Sequence, residues 1–486
     1  TAQFHPIQDG FIPNIKIIGV GGAGGNVVTQ MAEENFDQVE TIICNTDLKA
    51  LKRNKSHKKI ELGKKLTRGM GAGARPEVGE GAAEESLAEI NEAIEGSNMV
   101  FIAANDAFTE SMPKLFLAHG ITSVRDTGGL MEKMEPVIKK MRAPEAISPR
   151  VYFSGPLLDG KFVVYDGDLV PEIGTENSTI SMAKKKVTEL NDAGVDFIKI
   201  YEMVSPEIFN ALSEAASIYD LPIAAHVPLS MRASIAGPAV DSMEHLRNVE
   251  LDCAFNSAQL HEERLAILNS HENGAGLTLR SSLHTAQRLP AINNFDEQKC
   301  NQTIDNLKST IQVPTLRLNA FSMYPGYERE DWDNVLKIVP DGAKEKWIAA
   351  TNDWFEQKKD QDWYGSEFAK WSMSLIDRMN KRGVPIGAGT DTPIGYALPG
   401  YSLHTELEFL VEAGLKPIEA IYAATIRPAE FFSMQEEMGT IEKGKVADMI
   451  LLSKNPIENI SNTRQVELVI SKGKIYYPDK LMQTIN

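Results

Sequence analysis

The chain has 486 residues, 42% of them hydrophobic and 24% charged, and carries a formal net charge of −17. That length allows two or three domains, or one barrel with additions. The acidic balance argues against nucleic acid or an anionic membrane as the main partner, and no apolar run approaches the ~20 residues of a membrane span. Cys44, Cys253 and Cys300 stand far apart and in odd number, which predicts no disulfide framework. No signal peptide is visible, so the location expected by default is the cytoplasm. The chain starts at Thr1 without a methionine, which leaves an original export signal open.

In chain order, residues 15–20 (Ile-Lys-Ile-Ile-Gly-Val) predict a short buried strand, followed by a glycine cluster and a helical pattern. Thr41–Cys44 predicts a second strand. Residues 52–80 are first basic and then glycine-rich, and an acidic amphipathic helix is expected from about Gly79 to Glu95. Met99–Ala103 is a third apolar run. Strands alternating with helices imply parallel βαβ units. After Asn105 the rhythm changes. Strands are predicted at Ile121–Asp126, Arg150–Ser154, Phe197–Tyr201, Pro222–Val227, Ser242–Leu246, Val313–Leu318 and Val384–Asp391. These seven fall one short of a (β/α)8 barrel, and only Met99–Ala103 is placed to serve as the first strand. All five tryptophans lie within 325–382, where they are expected to dock helices onto the barrel. Three short β-type runs, Met449–Leu452, Leu468–Ile470 and Lys474–Tyr477, predict a small β-layer at the end.

Chemistry in such a barrel sits at the C-terminal ends of the strands. Lys199, His226, His245 and Asp391 stand at such positions. Imidazole and carboxylate are the usual ligands of zinc-class ions. Burial of Lys199 in an apolar strand favours its neutral amine, which can capture carbon dioxide and become a bridging anion. Each residue alone has a plainer explanation: a core histidine, a lysine snorkelling to water, a turn-capping aspartate. Their recurrence at successive strand ends favours the metal centre.

From about Asp106 to Leu481 the chain resembles the amidohydrolase superfamily, in its imidazolonepropionase-like and prolidase-like branch. The resemblance lies in Ala118-His-Gly-Ile-Thr-Ser-Val-Arg-Asp-Thr-Gly-Gly129, Gly194-Val-Asp-Phe-Ile-Lys-Ile200, Asp241-Ser-Met-Glu-His245 and Gly387-Ala-Gly-Thr-Asp391. It is closest in Glu412–Ala420, Ala424–Ala429 and Gly439–Leu452. The resemblance implies a (β/α)8 TIM-like barrel with a partial small β-layer and one or two divalent metal ions, zinc foremost. It makes Lys199 a carboxylated bridging ligand, His226 and His245 ligands of one metal, and Asp391 both metal contact and general base. The implied reaction is hydrolysis of a C–N bond in a small amide or dipeptide by a metal-activated water. Tyr201 and His284 are candidate substrate contacts. The family's opening His-x-His is missing: where it should stand the chain reads Phe101-Ile-Ala-Ala-Asn-Asp106. Activity is therefore expected to be impaired, and the tail layer to lack its usual partner strands.

Residues 15–104 resemble the start of FtsZ, the bacterial tubulin homologue that binds GTP. The resemblance rests on Gly19-Val-Gly-Gly-Ala-Gly-Gly-Asn26, Asn45–Leu51, Gly71–Gly79 and Met99–Ala104. It implies a partial Rossmann-like segment in which Gly21, Gly22, Gly24, Gly25 and Asn26 line a nucleotide. The second glycine-rich loop of that family is absent: the chain continues Asn105-Asp-Ala-Phe-Thr109. GTP turnover is not expected. Both resemblances stop within Ala103–Asp106 with no linker, so the chain reads as a chimera rather than a natural fusion. The expected domains are 1–104, 105–438 (the barrel without its native first strand) and 439–486. The rival functions are a GTP-binding FtsZ-like fragment and a non-functional hybrid. The expected partner is a small substrate, with no nucleic acid or membrane, and a homo-oligomer is compatible.

Overall fold

The computed structural model describes residues 15–21, 24–25, 28–29, 39–72, 76–94, 99–103, 111–167, 170–271, 274–323, 329, 341–358, 365–394 and 397–485. The chain divides into two units. The first holds Thr1–Ala107 and Arg329–Phe355; the second holds Phe108–Glu328 and Glu356–Asn486.

In the first unit, β1 (Ile15–Val20), β2 (Val39–Asn45), β3 (Lys58–Glu61) and β4 (Met99–Ala103) form one four-stranded sheet in the order β3-β2-β1-β4. Every pair is parallel. Ile18, Ile42, Cys44, Ile60 and Leu62 join Ala82 and Ala93 in its core. Near-continuous apolar strands suit such a sheet, because helices cover its faces. The acidic stretch forms two helices, Pro76–Glu85 and Leu87–Ile94. The placement of β4 corrects a sequence expectation. Met99–Ala103 does not serve as the first barrel strand; it runs in register with Ile15–Gly19.

The second unit is an α/β barrel wall of parallel strands. Its strands are β5 (Ser123–Asp126), β6 (Arg150–Phe153), β7 (Leu157–Asp159), β8 (Gly174–Glu176), β9 (Ile198–Ile200), β10 (Ile223–Ala225), β11 (Ser242–Glu244) and β12 (Ile311–Val313). β5 pairs parallel with β6, while the larger sheet runs β12-β11-β10-β9-β7-β8. The Asp196 N–H donates to Phe153 O at 2.9 Å, joining the β6 position to the start of β9. Beyond β12, residues 385–387 add one more position through Gln312 N–H to Pro385 O (2.9 Å) and Gly387 N–H to Gln312 O (2.8 Å). Counting β6 and β7 as one and setting aside β8, which pairs only with β7, the described residues give the wall seven positions: β5, β6/β7, β9, β10, β11, β12 and 385–387. An eight-stranded barrel needs one more. Among the described residues β5 pairs only with β6, and its residues are half-buried, whereas β9 to β12 are wholly buried.

Two expected strands are shorter than the sequence suggested. Val313–Leu318 yields only the end of β12, because Thr315 turns left-handed and Leu316–Ala320 is helical. Val384–Asp391 makes a single bridge, Ile386 to Gln312. β7 and β8 escaped the sequence reading because three residues are too few to show a period. The surrounding helices are well signalled. Pro206–Ile218 starts at Ser205, whose Oγ accepts from the Ile208 N–H, and has proline in its first turn. It buries Ile208, Phe209, Ala211, Leu212, Ala215 and Ala216 against the wall.

Cys253 and Cys300 are joined as a disulfide, contrary to the expectation from cysteine count. The Asp296 N–H donates to Cys253 O, which brings the helix Glu297–Asn306 alongside despite the sequence separation of 47 residues. Of the tryptophans, Trp371 is buried and stacks on Phe368, as a docking residue should. Trp332, Trp363 and the side chain of Trp347 lie outside the described residues. The tail forms an antiparallel sheet of β13 (Met449–Leu452), β14 (Val466–Ser471) and β15 (Lys474–Tyr476), with Ile450, Leu451 and Ile475 exposed.

Candidate functional site

Lys199 lies within β9; His226 and His245 are the first residues after β10 and β11. Asp391 follows the 385–387 position. The parallel wall therefore carries all four to one end of the barrel. Backbone strain gathers there too. His245, Leu246, Asn248, Thr315 and Asp391 all have positive φ, between 50° and 67°. Non-glycine residues rarely adopt this conformation, and such strain collects at functional sites.

The His226 and His245 rings meet edge to face with centroids 4.9 Å apart. His226 Nδ1–H donates to Glu202 Oε1 at 2.8 Å, while His245 Nδ1 shares a 3.0 Å hydrogen bond with Thr315 Oγ1. Burial, reinforced by the Lys199 charge, pushes His226 down to about 4. Burial and the neighbouring His226 push His245 well below the usual histidine range. Both are therefore neutral imidazoles whose Nδ1 is engaged, which turns Nε2 into the coordinating atom. His245 Nε2 lies 3.8 Å from Asp391 Oδ2. Burial raises the Asp391 pKa, against the lowering pull of Lys199 and Arg317.

Lys199 is buried, with its Nζ 3.9 Å from Glu244 Oε1. Desolvation lowers its ammonium to about 8, despite the opposing pull of Glu244. Arg125 holds that same carboxylate more closely, at 2.8 Å through Nη2. Burial raises the Glu244 pKa, but Arg125 and Lys199 outweigh it and keep the carboxylate ionised.

The Asp391 loop is tied down from below. The Arg317 guanidinium donates through Nη1 to Thr390 O and Ile394 O, both at 2.8 Å. Glu406, fully buried, accepts from the Leu316 and Arg317 N–H groups at 2.9 and 2.8 Å. Burial raises Glu406 to about 7.

These residues suit one borderline divalent ion in donor type: two neutral imidazoles with a carboxylate beside them. Among the described residues, however, no three His, Cys, Asp or Glu side chains cluster closely enough to hold an ion. Tyr201 is buried with its ring 4.4 Å from His226. His284 is buried with Nε2 2.9 Å from Glu202 Oε2.

Sequence reasoning missed Glu202, Arg125, Glu244, Arg247 and Arg280. One signal was available in the helix Gly276–Asn293. Arg280, His284, Gln287 and Arg288 recur at helical spacing on one face, and that polar face is turned inward onto Glu202, Arg264 and Glu250.

The amidohydrolase family model matches residues 84–476. The chain belongs to the amidohydrolase family. It is a hydrolase by that membership, and its barrel is shared by solved structures. A Xaa-Pro dipeptidase with methionine bound in the active site aligns over 79% of this chain and 90% of that one, at 17% identity and TM-score 0.51. A bottromycin amidohydrolase aligns over 77% of this chain and 75% of its own, at 21% identity and TM-score 0.56. Such likeness shows the fold.

The front of this amidohydrolase chain has a separate kinship. A model of the GTPase domain of the tubulin/FtsZ family matches residues 14–106. Cell division protein FtsZ of Wolbachia sp is 53% identical over 92 residues, which are 19% of this chain and 23% of that protein. The chain thus spans about a quarter of the length of that curated relative. β1 runs into the glycine turn of that segment. A Cβ on Gly19 would stand 2.2 Å from Gly24 O, so only glycine fits there. Gly21 has φ of 74°; Gly22 and Asn26 lie outside the described residues. Among the described residues no helix is long and apolar enough to cross a membrane.

Proposed function

We propose that the chain hydrolyses a C–N bond in a small amide or dipeptide, at a site where His226 and His245 hold one divalent ion, zinc foremost. Asp391 and Lys199 stand beside it, with Lys199 as the amine open to carboxylation. The observation that carries this reading is the pair of neutral imidazoles, each with Nδ1 engaged, with the half-buried Asp391 carboxylate 3.8 Å from His245 Nε2. When bound, the ion supplies polarisation of the carbonyl and a lowered pKa for water. The chain's residues do the rest. Glu202 and Thr315 orient the imidazoles. Asp391 accepts a proton as water adds to the carbonyl carbon, and returns it to the leaving nitrogen as the C–N bond breaks. Arg317 fixes the loop from which Asp391 acts. The sequence contains no His-x-His of the kind that opens the family's barrel, which leaves the site short of ligands, and turnover is expected to be slow.

A dipeptide panel tests this, because one protein of similar fold is a Xaa-Pro dipeptidase. Hydrolysis should be lost on chelation, and Asp391→Asn should lower kcat at least about 100-fold. Cleavage that survives both changes contradicts the reading.

A second reading rests on the glycine turn after β1, where Gly21, Gly24 and Gly25 offer a phosphate cradle. The chain holds only about a quarter of the FtsZ relative, so nucleotide binding is a proposal for residues 15–103 alone. Labelled GTP that fails to bind saturably at micromolar concentration ends it.

A further inference from the structure

The donors gathered on Glu202 outnumber what one carboxylate needs. Glu202 is fully buried at the end of β9. Its Oε1 alone receives three groups: His226 Nδ1 at 2.8 Å, Arg280 Nε at 3.0 Å and Arg247 Nη1 at 3.2 Å. His284 Nε2 stands 2.9 Å from Oε2. Burial would raise the Glu202 pKa, but Arg280 and His284 lead the groups that hold it well below the usual carboxylate range. Two guanidiniums thus meet on one carboxylate.

No other carboxylate bonds either guanidinium among the described residues. Asp159 is fully buried and accepts from the Val164 and Met203 N–H groups at 2.9 and 2.8 Å. Glu250 is held by Arg288. Each guanidinium also uses only one of its nitrogens on Glu202: Arg280 uses Nε and Arg247 uses Nη1. The side chains keep 12% and 19% of their surface open. Neither side chain is fully closed off from solvent, and each has N–H donors beyond the one spent on Glu202.

The two arginines come from separate elements. Arg247 follows His245 and Leu246, whose positive φ turns the chain at the end of β11. Arg280 lies on the helix Gly276–Asn293. Arg280 also lies over the Tyr201 ring, 5.9 Å from its centroid, and Tyr201 packs on His226. Through Glu202, both guanidiniums stand one imidazole ring from the coordinating edge of His226. One guanidinium would suffice to neutralise Glu202. The second leaves a positive charge beside the site, in a planar fork shaped for a carboxylate.

We propose that Arg247 and Arg280 form a subsite for a substrate carboxylate, so that the amides this hydrolase takes carry a free acid close to the scissile bond. A dipeptide with an unblocked C-terminus is the simplest such molecule. The proposal rests on the hydrolase reading for the meaning of the site, and not on turnover for its test.

The experiment titrates the full chain with N-acetylglycine and with N-acetylglycinamide, a pair of equal size that differs in the acid. Calorimetry should show the acid binding at least about tenfold more tightly than the amide. Arg280→Gln and Arg247→Gln should each weaken the acid about tenfold and leave the amide unchanged. Equal affinity of the native chain for acid and amide overturns the proposal. So do glutamine variants that weaken both probes alike while melting like the native chain. Where a glutamine variant melts early, Arg247→Lys takes its place. It keeps the charge and loses the fork, so it should retain only part of the preference for the acid, and an undiminished preference overturns the role of Arg247. A chain that cleaves amides yet binds both probes equally sinks the subsite alone; a chain that prefers the acid and cleaves nothing sinks the hydrolase reading alone.

Discussion

Among the described residues the first unit gathers its four strands into one parallel sheet, whereas the barrel wall of the second unit reaches seven positions of eight. β1, β2, β3 and β4 pair in parallel register over a shared core. Among the described residues the barrel wall reaches seven positions, and β5 is half-buried with one partner. Met99–Ala103 is apolar enough for either place. It goes to β1, where Ile15–Gly19 offers a five-residue register. Hydrophobicity makes a strand, but its neighbour in the hydrogen-bonded ladder decides which sheet it joins. Met99–Ala103 carries no metal-ligating side chain, so this pairing costs the barrel a wall position and not a ligand.

Changes confined to one region should therefore leave the other intact. The largest effect on stability is expected from Ile42→Ala. Ile42 is fully buried in the first sheet, and the cavity should cost roughly 2–5 kcal/mol. Denaturation followed alongside metal content should show the first sheet weakened and the metal retained. Arg317→Ala should come next. It strands the carbonyls of Thr390 and Ile394, at about 1–3 kcal/mol for an unsatisfied buried group, and should weaken metal retention through Asp391 while sparing the first sheet.

Smaller and pH-dependent effects separate two buried groups of the barrel. His404 sits between His119 O and Thr463 Oγ1, and burial first, then Arg464, lowers it to about 3. Unfolded histidine titrates near 6.5. The unfolded chain thus gains a proton first, and this contribution to stability is lost as pH falls from about 6.5 toward 3. His404→Gln should flatten the fall of melting temperature between pH 6.5 and 4. Glu406 runs the other way. Its folded value of about 7 exceeds the unfolded one, so its contribution is present below about pH 4.5 and fades as pH rises through 7. Glu406→Gln should flatten the loss on the alkaline side. The smallest effect is expected from Lys64→Ala, which breaks an exposed pair with Glu89 in the first unit and should leave the melting temperature unchanged.

Much of this site was legible in the sequence, for a physical reason. Lys199, His226, His245 and Asp391 each end or interrupt an apolar run, and parallel strands carry such residues to one rim. Their supporting partners were not legible. Arg125 reaches Glu244 across 119 residues, and Arg280 reaches Glu202 across 78. No local period encodes such a meeting; it exists only once the wall is closed. The Cys253–Cys300 bond was missed likewise, because cysteine count says nothing about which helices lie side by side. β4 was misjudged because its sequence describes a buried strand and not its neighbour.

The central claim is that the later strands of the barrel still assemble a metal-binding hydrolase site. Metal analysis of the purified chain after loading with zinc and desalting tests it most directly, with His226→Ala and His245→Ala prepared alongside. The account predicts close to one equivalent retained by the native chain and none by either variant. A native chain that retains no more zinc than the variants would contradict it.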